Sequence, residues 1–167
     1  MIDQEALATV QGPLKAAYKE NPDGAKLTLS ATGRIGDGVT CSVETGRAMV
    51  KAGLHPLTGG DGLSACSGDM LLEALVACAG VTLGAVATSL GVEVGDATLT
   101  AEGDLDFRGT LSVAKDAPVG FSAIRLRVDL DAEVSEEQRA LLEKLTERFC
   151  VVFQTLATPP AMSVSFA

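Results

Sequence analysis

At 167 residues, 47% apolar and with a mean hydropathy of +0.28, the chain has the length of about one domain and can build a full core without metal or disulfide staples. Its net charge of −9 argues against nucleic acid and anionic membrane surfaces as partners, since both require clustered Lys and Arg. The opening M-I-D-Q-E-A-L has neither a basic start nor an uninterrupted apolar run, so no secretory signal is expected and the cytoplasm is the expected compartment.

Residues 3–20 read as a short helix that stops at Asn21-Pro22-Asp23-Gly24, a turn signal. From Lys26 the period becomes strand-like: Leu27 and Leu29 alternate with Thr28 and Ser30, with turns expected at Thr32-Gly33 and at Gly36-Asp37-Gly38. Val39, Cys41 and Val43 then form the hairpin partner, residues 47–54 a third strand, and residues 55–62, with Pro56 and Gly59-Gly60-Asp61-Gly62, a loop. Ser67 is a suitable N-cap for a long helix that ends at Gly91, with Asp69 favourably placed in its first turn.

The stretch from Met70 to Leu90 is long enough to span a bilayer. Glu73 inside it, Asp69 and Glu93 beside it, and the lack of flanking Lys or Arg favour a buried helix instead. Apolar residues cover almost its whole circumference, which predicts the central helix of the fold. Gly80 and Gly84 lie on one of its faces, where another backbone can approach closely.

Residues 92–107 and 122–134 read as two further strands. The second alternates cleanly, with Ile124, Leu126, Val128 and Leu130 inward and Arg125, Arg127, Asp129 and Asp131 outward. One apolar and one wet face mean an antiparallel sheet covered on a single side. Ser135-Glu136-Glu137-Gln138 is a capping box opening a second helix. Leu142, Leu145, Phe149, Val152 or Phe153, and Leu156 make its buried stripe, and Pro159-Pro160 ends it before a last strand from Met162 to Phe166. The layout is that of an α+β fold in one domain, 1–167, with residues 1–24 as a helical extension and 25–167 as the core.

Cys78 and Cys150 each fall inside an apolar helical segment, and two interior thiols in a cytosolic chain raise the possibility of redox chemistry. The positions 41, 55, 66, 78 and 150 contain no local ligand pair of the kind zinc sites use, so neither metal nor cofactor is expected. Against reactivity, cysteine packs well in helices, and a helix interior supplies no cation to hold a thiolate. Any activation of Cys78 has to come from another element, with Arg34, Arg47 and His55 as candidates. Cys41 reads as an inward strand residue, while Cys66, at the start of the long helix, has better electrostatics for a thiolate than Cys78. Composition and position alone do not rank the four.

From about Lys26 to Phe166 the order of elements and the local motifs resemble the OsmC-like family, the osmotically inducible and organic-hydroperoxide-resistance proteins. The residues that carry the likeness are G-G-D-G at 59–62, the run D-M-L-L-E-A-L-V-A-C ending at Cys78, G-F-S-A-I-R-L-R-V at 120–128, and E-R-F-C-V-V-F-Q-T-L around Cys150. The resemblance implies a thiol-dependent peroxidase acting on organic hydroperoxides, with Cys78 as the peroxidatic and Cys150 as the resolving thiol. It implies a sulfenic acid that closes to a disulfide, reopened by a lipoyl or thioredoxin-like dithiol. It also implies an intertwined homodimer with its sites in an apolar pocket near the subunit interface.

Arg34, Arg47, Asp69 and Glu73 are the candidates for activating or supporting the thiols. Each also has a plain structural role: surface turn for Arg34, exposed strand for Arg47, helix-dipole partner for Asp69. Glu73, in an apolar helix, requires a partner, exposure or a pocket, and an arginine of a second subunit would serve. The sequence departs from the family pattern at Gly68, where many of the peroxidases carry Glu, and at Val151, where Pro usually follows the second cysteine. The rival expectation is a non-enzymatic OsmC-fold protein that binds a small apolar ligand or senses redox state through Cys66 or Cys78.

Overall fold

The computed structural model describes residues 4–36, 40–43 and 52–166. Helix α1 spans Gln4–Glu20 and gives way to a 3-10 turn at Pro22–Ala25, since proline cannot continue the hydrogen-bond ladder. Strand β1 (Lys26–Gly36) and strand β2 (Thr40–Val43) pair antiparallel, from Gly33 opposite Val43 to Gly36 opposite Thr40. The turn expected at Thr32-Gly33 is therefore strand, because Gly33 is taken up in the ladder. Of the third strand expected over 47–54, residues up to 51 lie outside the described residues. Ala52 makes a single bridge to Ala65, and Gly53 and Leu54 are in no strand.

Helix α2 spans Ser67–Leu90, and the Cys66 carbonyl accepts its first bond from the Met70 N–H (3.1 Å). It ends as the glycine signal predicts. Gly91 takes φ +65°, and the Val92 N–H reaches back to the Ala87 carbonyl at 3.0 Å, closing a Schellman turn. Its burial is one-sided rather than all-round. Leu72, Leu75, Val76, Ala79, Leu83, Val86 and Ala87 are buried, whereas Met70, Leu71, Ala74, Val81 and Ala85 face outward. By length and composition α2 could cross a bilayer, but half of its most apolar stretch is covered by the rest of the chain.

Strand β3 (Thr98–Asp106), a single helical turn α3 (Phe107–Thr110) and strand β4 (Ala123–Asp129) follow. The sheet has the order β2-β1-β3-β4. Both later strands are shorter than the sequence pattern suggests. Gly95, at φ +62°, lies so close to the Asp131 carbonyl that a Cβ there would be 2.6 Å from it, so the residues before β3 form a link rather than more strand. The alternation of β4 is as expected, with Ile124, Leu126 and Val128 half-buried and Arg125, Arg127 and Asp129 exposed. On the wet face Arg125 pairs with Asp104 (Nη1–Oδ2 2.5 Å) and Glu102, and the Thr28 hydroxyl donates to Asp104 (2.6 Å). The hydrogen bonds from Arg125 and Thr28 hold the Asp104 carboxyl down at about 2.

Helix α4 (Glu136–Phe149) opens with the predicted capping box. Ser135 Oγ accepts from the Gln138 N–H at 3.1 Å, and Gln138 Oε1 accepts from the Ser135 N–H at 3.0 Å. The single second helix expected through Cys150 is in fact two. It breaks at Cys150, which takes an extended conformation (φ −72°, ψ 107°), and restarts as α5 (Val151–Ala157). The break also removes Phe149 from the expected buried stripe, leaving it 55% exposed. Residues 158–166 form neither helix nor strand. The alternation of Met162, Val164 and Phe166 suits a strand, but no ladder partner exists for it among the described residues, and Phe166 is 96% exposed.

Contacts group the chain into two compact units. One draws on Met1–Ala31, Thr45–Glu73 and Ala101–Leu126, the other on Thr32–Glu44, Ala74–Thr100 and Arg127–Ala167. The first has a core of Tyr18, Ala25, Phe107 and Leu111, with Leu14, Leu27, Leu57 and Leu105 packed against it. There α1 latches the 55–60 loop: Tyr18 Oη donates to the Leu57 carbonyl (2.7 Å) and Gln11 Nε2 to that of Thr58 (3.2 Å). The second has a core of Leu83, Val86, Ala87, Val94, Ala97 and Leu142, with Val128 and Leu145 packed on it. This core sets α4 against the C-terminal part of α2.

The loop explains its own glycines. Gly59 adopts φ +94°, and a Cβ on Gly60 would fall on the Leu54 carbonyl, a backbone atom that cannot rotate away. Replacing Gly60 with Ala is expected to lower the unfolding free energy by about 1–3 kcal/mol. Gly12, inside α1 with open space around it, is expected to gain about 0.5–1 kcal/mol on the same change. Urea midpoints of the two variants check the pair, and a neutral Gly60→Ala would contradict the packing described.

Candidate thiol site

Cys78 sits in the middle of α2 at the boundary between its buried and exposed faces, and is half-buried. Cys150 is fully buried at the junction of α4 and α5. The two side chains are neighbours, each influencing the ionisation of the other, and both are free thiols.

The interruption at Cys150 is what supplies the site with donors. The Cys150 N–H still closes onto the Thr146 carbonyl (3.0 Å), but the Phe153 N–H turns to Cys150 Sγ (3.4 Å) instead of to Phe149. The carbonyl of Glu147, which would take the Val151 N–H in an unbroken helix, accepts from Gln154 Nε2 (2.9 Å). The freed N–H groups of Val151 and Val152, and the Thr82 hydroxyl one turn along α2, lie near enough to the Cys78 sulfur to favour its thiolate. Thr146 is buried beside this junction, with its hydroxyl unpartnered among the described residues.

The two thiols are driven apart electrostatically. For Cys78 the largest influence is burial, which disfavours the thiolate. The bonds from Val152, Cys150, Val151 and Thr82 together outweigh it, so its thiol ionises below the ordinary range. For Cys150 burial again leads, and the hydrogen bond and charge of Cys78 add to it. The Phe153 and Val152 N–H groups only partly oppose them, leaving Cys150 pushed up to about 11. Of the two thiols, Cys78 is thus the one whose ionisation is favoured and Cys150 the one held protonated.

The other sequence candidates fall outside this constellation. Arg34 is exposed on β1, opposite Ser42, and Arg47 lies outside the described residues. Asp69, in the first turn of α2, has its carboxyl raised by burial, with His55 opposing the effect. Glu73 is half-buried and forms no ion pair among the described residues. None of Arg34, Asp69 or Glu73 is among the main influences on the Cys78 thiol.

His55 is structural. Its Nδ1 accepts from the Leu57 N–H (3.1 Å), and its ring stacks on Phe107 with centroids 5.1 Å apart. Cys66 is a half-buried free thiol, and the side chain of Cys41 lies outside the described residues. Among the described residues no His, Cys, Asp or Glu group is arranged to hold a metal. Sequence reasoning missed Thr82 and the two valine N–H groups. The i,i+4 spacing of Cys78 and Thr82 was a readable signal for the first, while nothing in the letters V-V marks a freed backbone donor.

The family model described as OsmC-like protein matches residues 59–165, well over half of the chain and a span that includes both thiols. The chain belongs to the OsmC-like family. Among solved structures, it is similar to an OsmC-like hydroperoxide resistance protein from Jannaschia sp. CCS1, with a TM-score of 0.55 and 19% identity. That likeness covers 83% of this chain and 91% of the other, and it bears on the fold. No curated protein matches the sequence. Within this OsmC-like chain, α1 and the β1–β2 hairpin lie before the matched span, as does the first part of the 55–60 loop that α1 latches.

Because iodoacetamide reacts with thiolate, Cys78 is expected to be alkylated in the native protein at least about ten-fold faster than Cys150 near neutral pH. Cys150 should react only as the pH approaches about 11 or after unfolding. Peptide mass spectrometry across a pH series reads both. Faster modification of Cys150 would contradict the assignment.

Proposed function

We propose that this OsmC-like protein is a thiol peroxidase that reduces organic hydroperoxides through Cys78 and Cys150. The observation that carries the reading is the contact between an acidified, half-exposed thiol and a buried, protonated one. The family, and the hydroperoxide resistance named for the similar solved structure, lend it support.

The chemistry follows from that asymmetry. The Cys78 thiolate attacks the distal oxygen of the hydroperoxide, the O–O bond breaks, and the leaving alkoxide takes a proton from water to depart as an alcohol. Cys78 is then a sulfenic acid, two electrons more oxidised. The Cys150 sulfur, already against it, attacks the sulfenic sulfur. An S–S bond forms, and the sulfenic hydroxyl leaves as water with the Cys150 proton. A dithiol reductant of the lipoyl or thioredoxin type restores both thiols by exchange, becoming a disulfide itself. The reducing cytoplasm supplies such a reductant and keeps the resting thiols free.

The protein works as a homodimer in this reading. The outward apolar face of α2, with Val81 and Met70, and the apolar tail with Met162, Val164 and Phe166, give a second copy something to cover. The exposed side chains beside Cys150, Phe149 and Val151, suit a hydroperoxide with an apolar body over hydrogen peroxide.

Steady-state consumption of cumene hydroperoxide with dihydrolipoamide as reductant tests the proposal. Cys78→Ser is expected to lower the rate by at least about a hundred-fold. Cys150→Ser is expected to keep one stoichiometric turnover and then stall without its resolving thiol. Undiminished consumption by Cys78→Ser would refute the assignment. Oxidation of the wild type without turnover by any dithiol would favour a redox sensor.

A further inference from the structure

Helix α5 is a weakly held element beside the thiols. It has 7 residues, none of them buried. That is fewer than the roughly 12–15 below which an isolated helix is marginal in water. Val152, Phe153 and Leu156 are half-buried and the others face solvent. Side chains fasten its first turn to what precedes it. Gln154 Nε2 donates to the Glu147 carbonyl of α4 (2.9 Å), and the Phe153 N–H donates to Cys150 Sγ (3.4 Å), which makes the thiol the N-cap of α5. Sulfur is a weak acceptor, and Ser, Thr, Asp or Asn ordinarily fill this place.

The cap and the proposed redox chemistry use the same atom. In the reduced protein Cys150 Sγ serves Phe153. In a Cys78–Cys150 disulfide that sulfur is drawn from a non-bonded neighbour into covalent contact with α2, and the Phe153 N–H loses its acceptor. We propose that Cys150 is a redox-sensitive clasp on α5: its free thiol caps the helix, and pairing with Cys78 withdraws the cap, loosens α5 and opens the Cys150 sulfur to the dithiol reductant.

The reductive half of the cycle needs such an opening. In thiol–disulfide exchange the more acidic thiol leaves faster, here Cys78, so the reductant attacks the Cys150 sulfur. Yet Cys150 has no exposed surface while α5 is seated. Once it is open, a reductant thiolate bonds to Cys150, the S–S bond breaks, and its electron pair departs on Cys78 as thiolate. The second reductant thiol then displaces Cys150, which takes up that thiol's proton, and the reductant leaves as a disulfide. The need for the opening rests on the peroxidase reading, whereas capping by the free thiol does not.

Hydrogen exchange read by mass spectrometry on the full chain tests the clasp through the peptide covering 151–157, with the β3 peptide as reference. Reduced wild type is compared with protein oxidised by one equivalent of cumene hydroperoxide or by diamide. Exchange of the α5 amides is expected to be at least about five-fold faster in the disulfide form, with β3 unchanged. Reduced Cys150→Ala is expected to show the same acceleration, while Cys150→Ser, whose hydroxyl restores the acceptor, stays near reduced wild type. Oxidised protein given one equivalent of glutathione is expected to carry the adduct on Cys150.

Equal exchange in the two redox forms would overturn the proposal, as would slow exchange in Cys150→Ala, an acceleration shared by β3, or a glutathione adduct on Cys78. If Cys150→Ala does not fold, the two forms of the wild type decide. If diamide links the pair and releases α5 but hydroperoxide does not link it, the clasp stands and the peroxidase reading fails. Failure of both oxidants to link the pair would refute the clasp.

Discussion

The thiol site depends on a helix that stops at Phe149 and starts again at Val151. In a continuous helix the N–H groups of Val151 and Val152 would be spent on the carbonyls of the preceding turn, and Cys78 would face apolar side chains alone. Burying a thiolate in such surroundings costs more than the group can recover, and it would stay protonated. Breaking the ladder at Cys150 releases those donors where Cys78 can use them. The cost is contained locally, because Cys150 Sγ caps Phe153 and the Gln154 side chain takes up the Glu147 carbonyl. One extended residue thereby buries the second thiol and acidifies the first.

The rest of the second unit holds that geometry in place. Leu83, Val86 and Ala87 on α2 pack with Leu142 on α4, and Leu145 rests on the same cluster. The capping box fixes the start of α4, and the Schellman turn at Gly91 fixes the end of α2. Neither feature touches sulfur. Each constrains a helix that carries or precedes a cysteine, so a shift in either would be felt as a change in the distance between thiol and donor. In the first unit the same logic links α1 to the 55–60 loop through Tyr18 and Gln11.

Features written in local patterns were legible in the sequence. The alternation from Ile124 to Val128, the S-E-E-Q box, the glycine after Leu90 and the place of Cys78 inside a helix all state their physics in adjacent letters. The family likeness then picked Cys78 and Cys150 from four. The break at Cys150 was not legible, because no proline or glycine marks it. Val151-Val152 is a run of weak helix formers, yet such pairs occur in many unbroken helices. With the break hidden, the sequence points to arginines for activation of Cys78 and to the core for Phe149. The tail from Met162 to Phe166 shows the opposite case: its period is that of a strand, but a strand also needs a partner, which periodicity cannot supply.

The central claim is that Cys78 and Cys150 form one redox couple in which Cys78 reacts first. Treating the fully reduced protein with one equivalent of cumene hydroperoxide, then mapping its cysteines by intact and peptide mass spectrometry, tests it most directly. The account predicts the loss of two hydrogens and a Cys78–Cys150 linkage, with Cys41 and Cys66 left as free thiols. Four free thiols after excess hydroperoxide, or a linkage through Cys41 or Cys66, would contradict it.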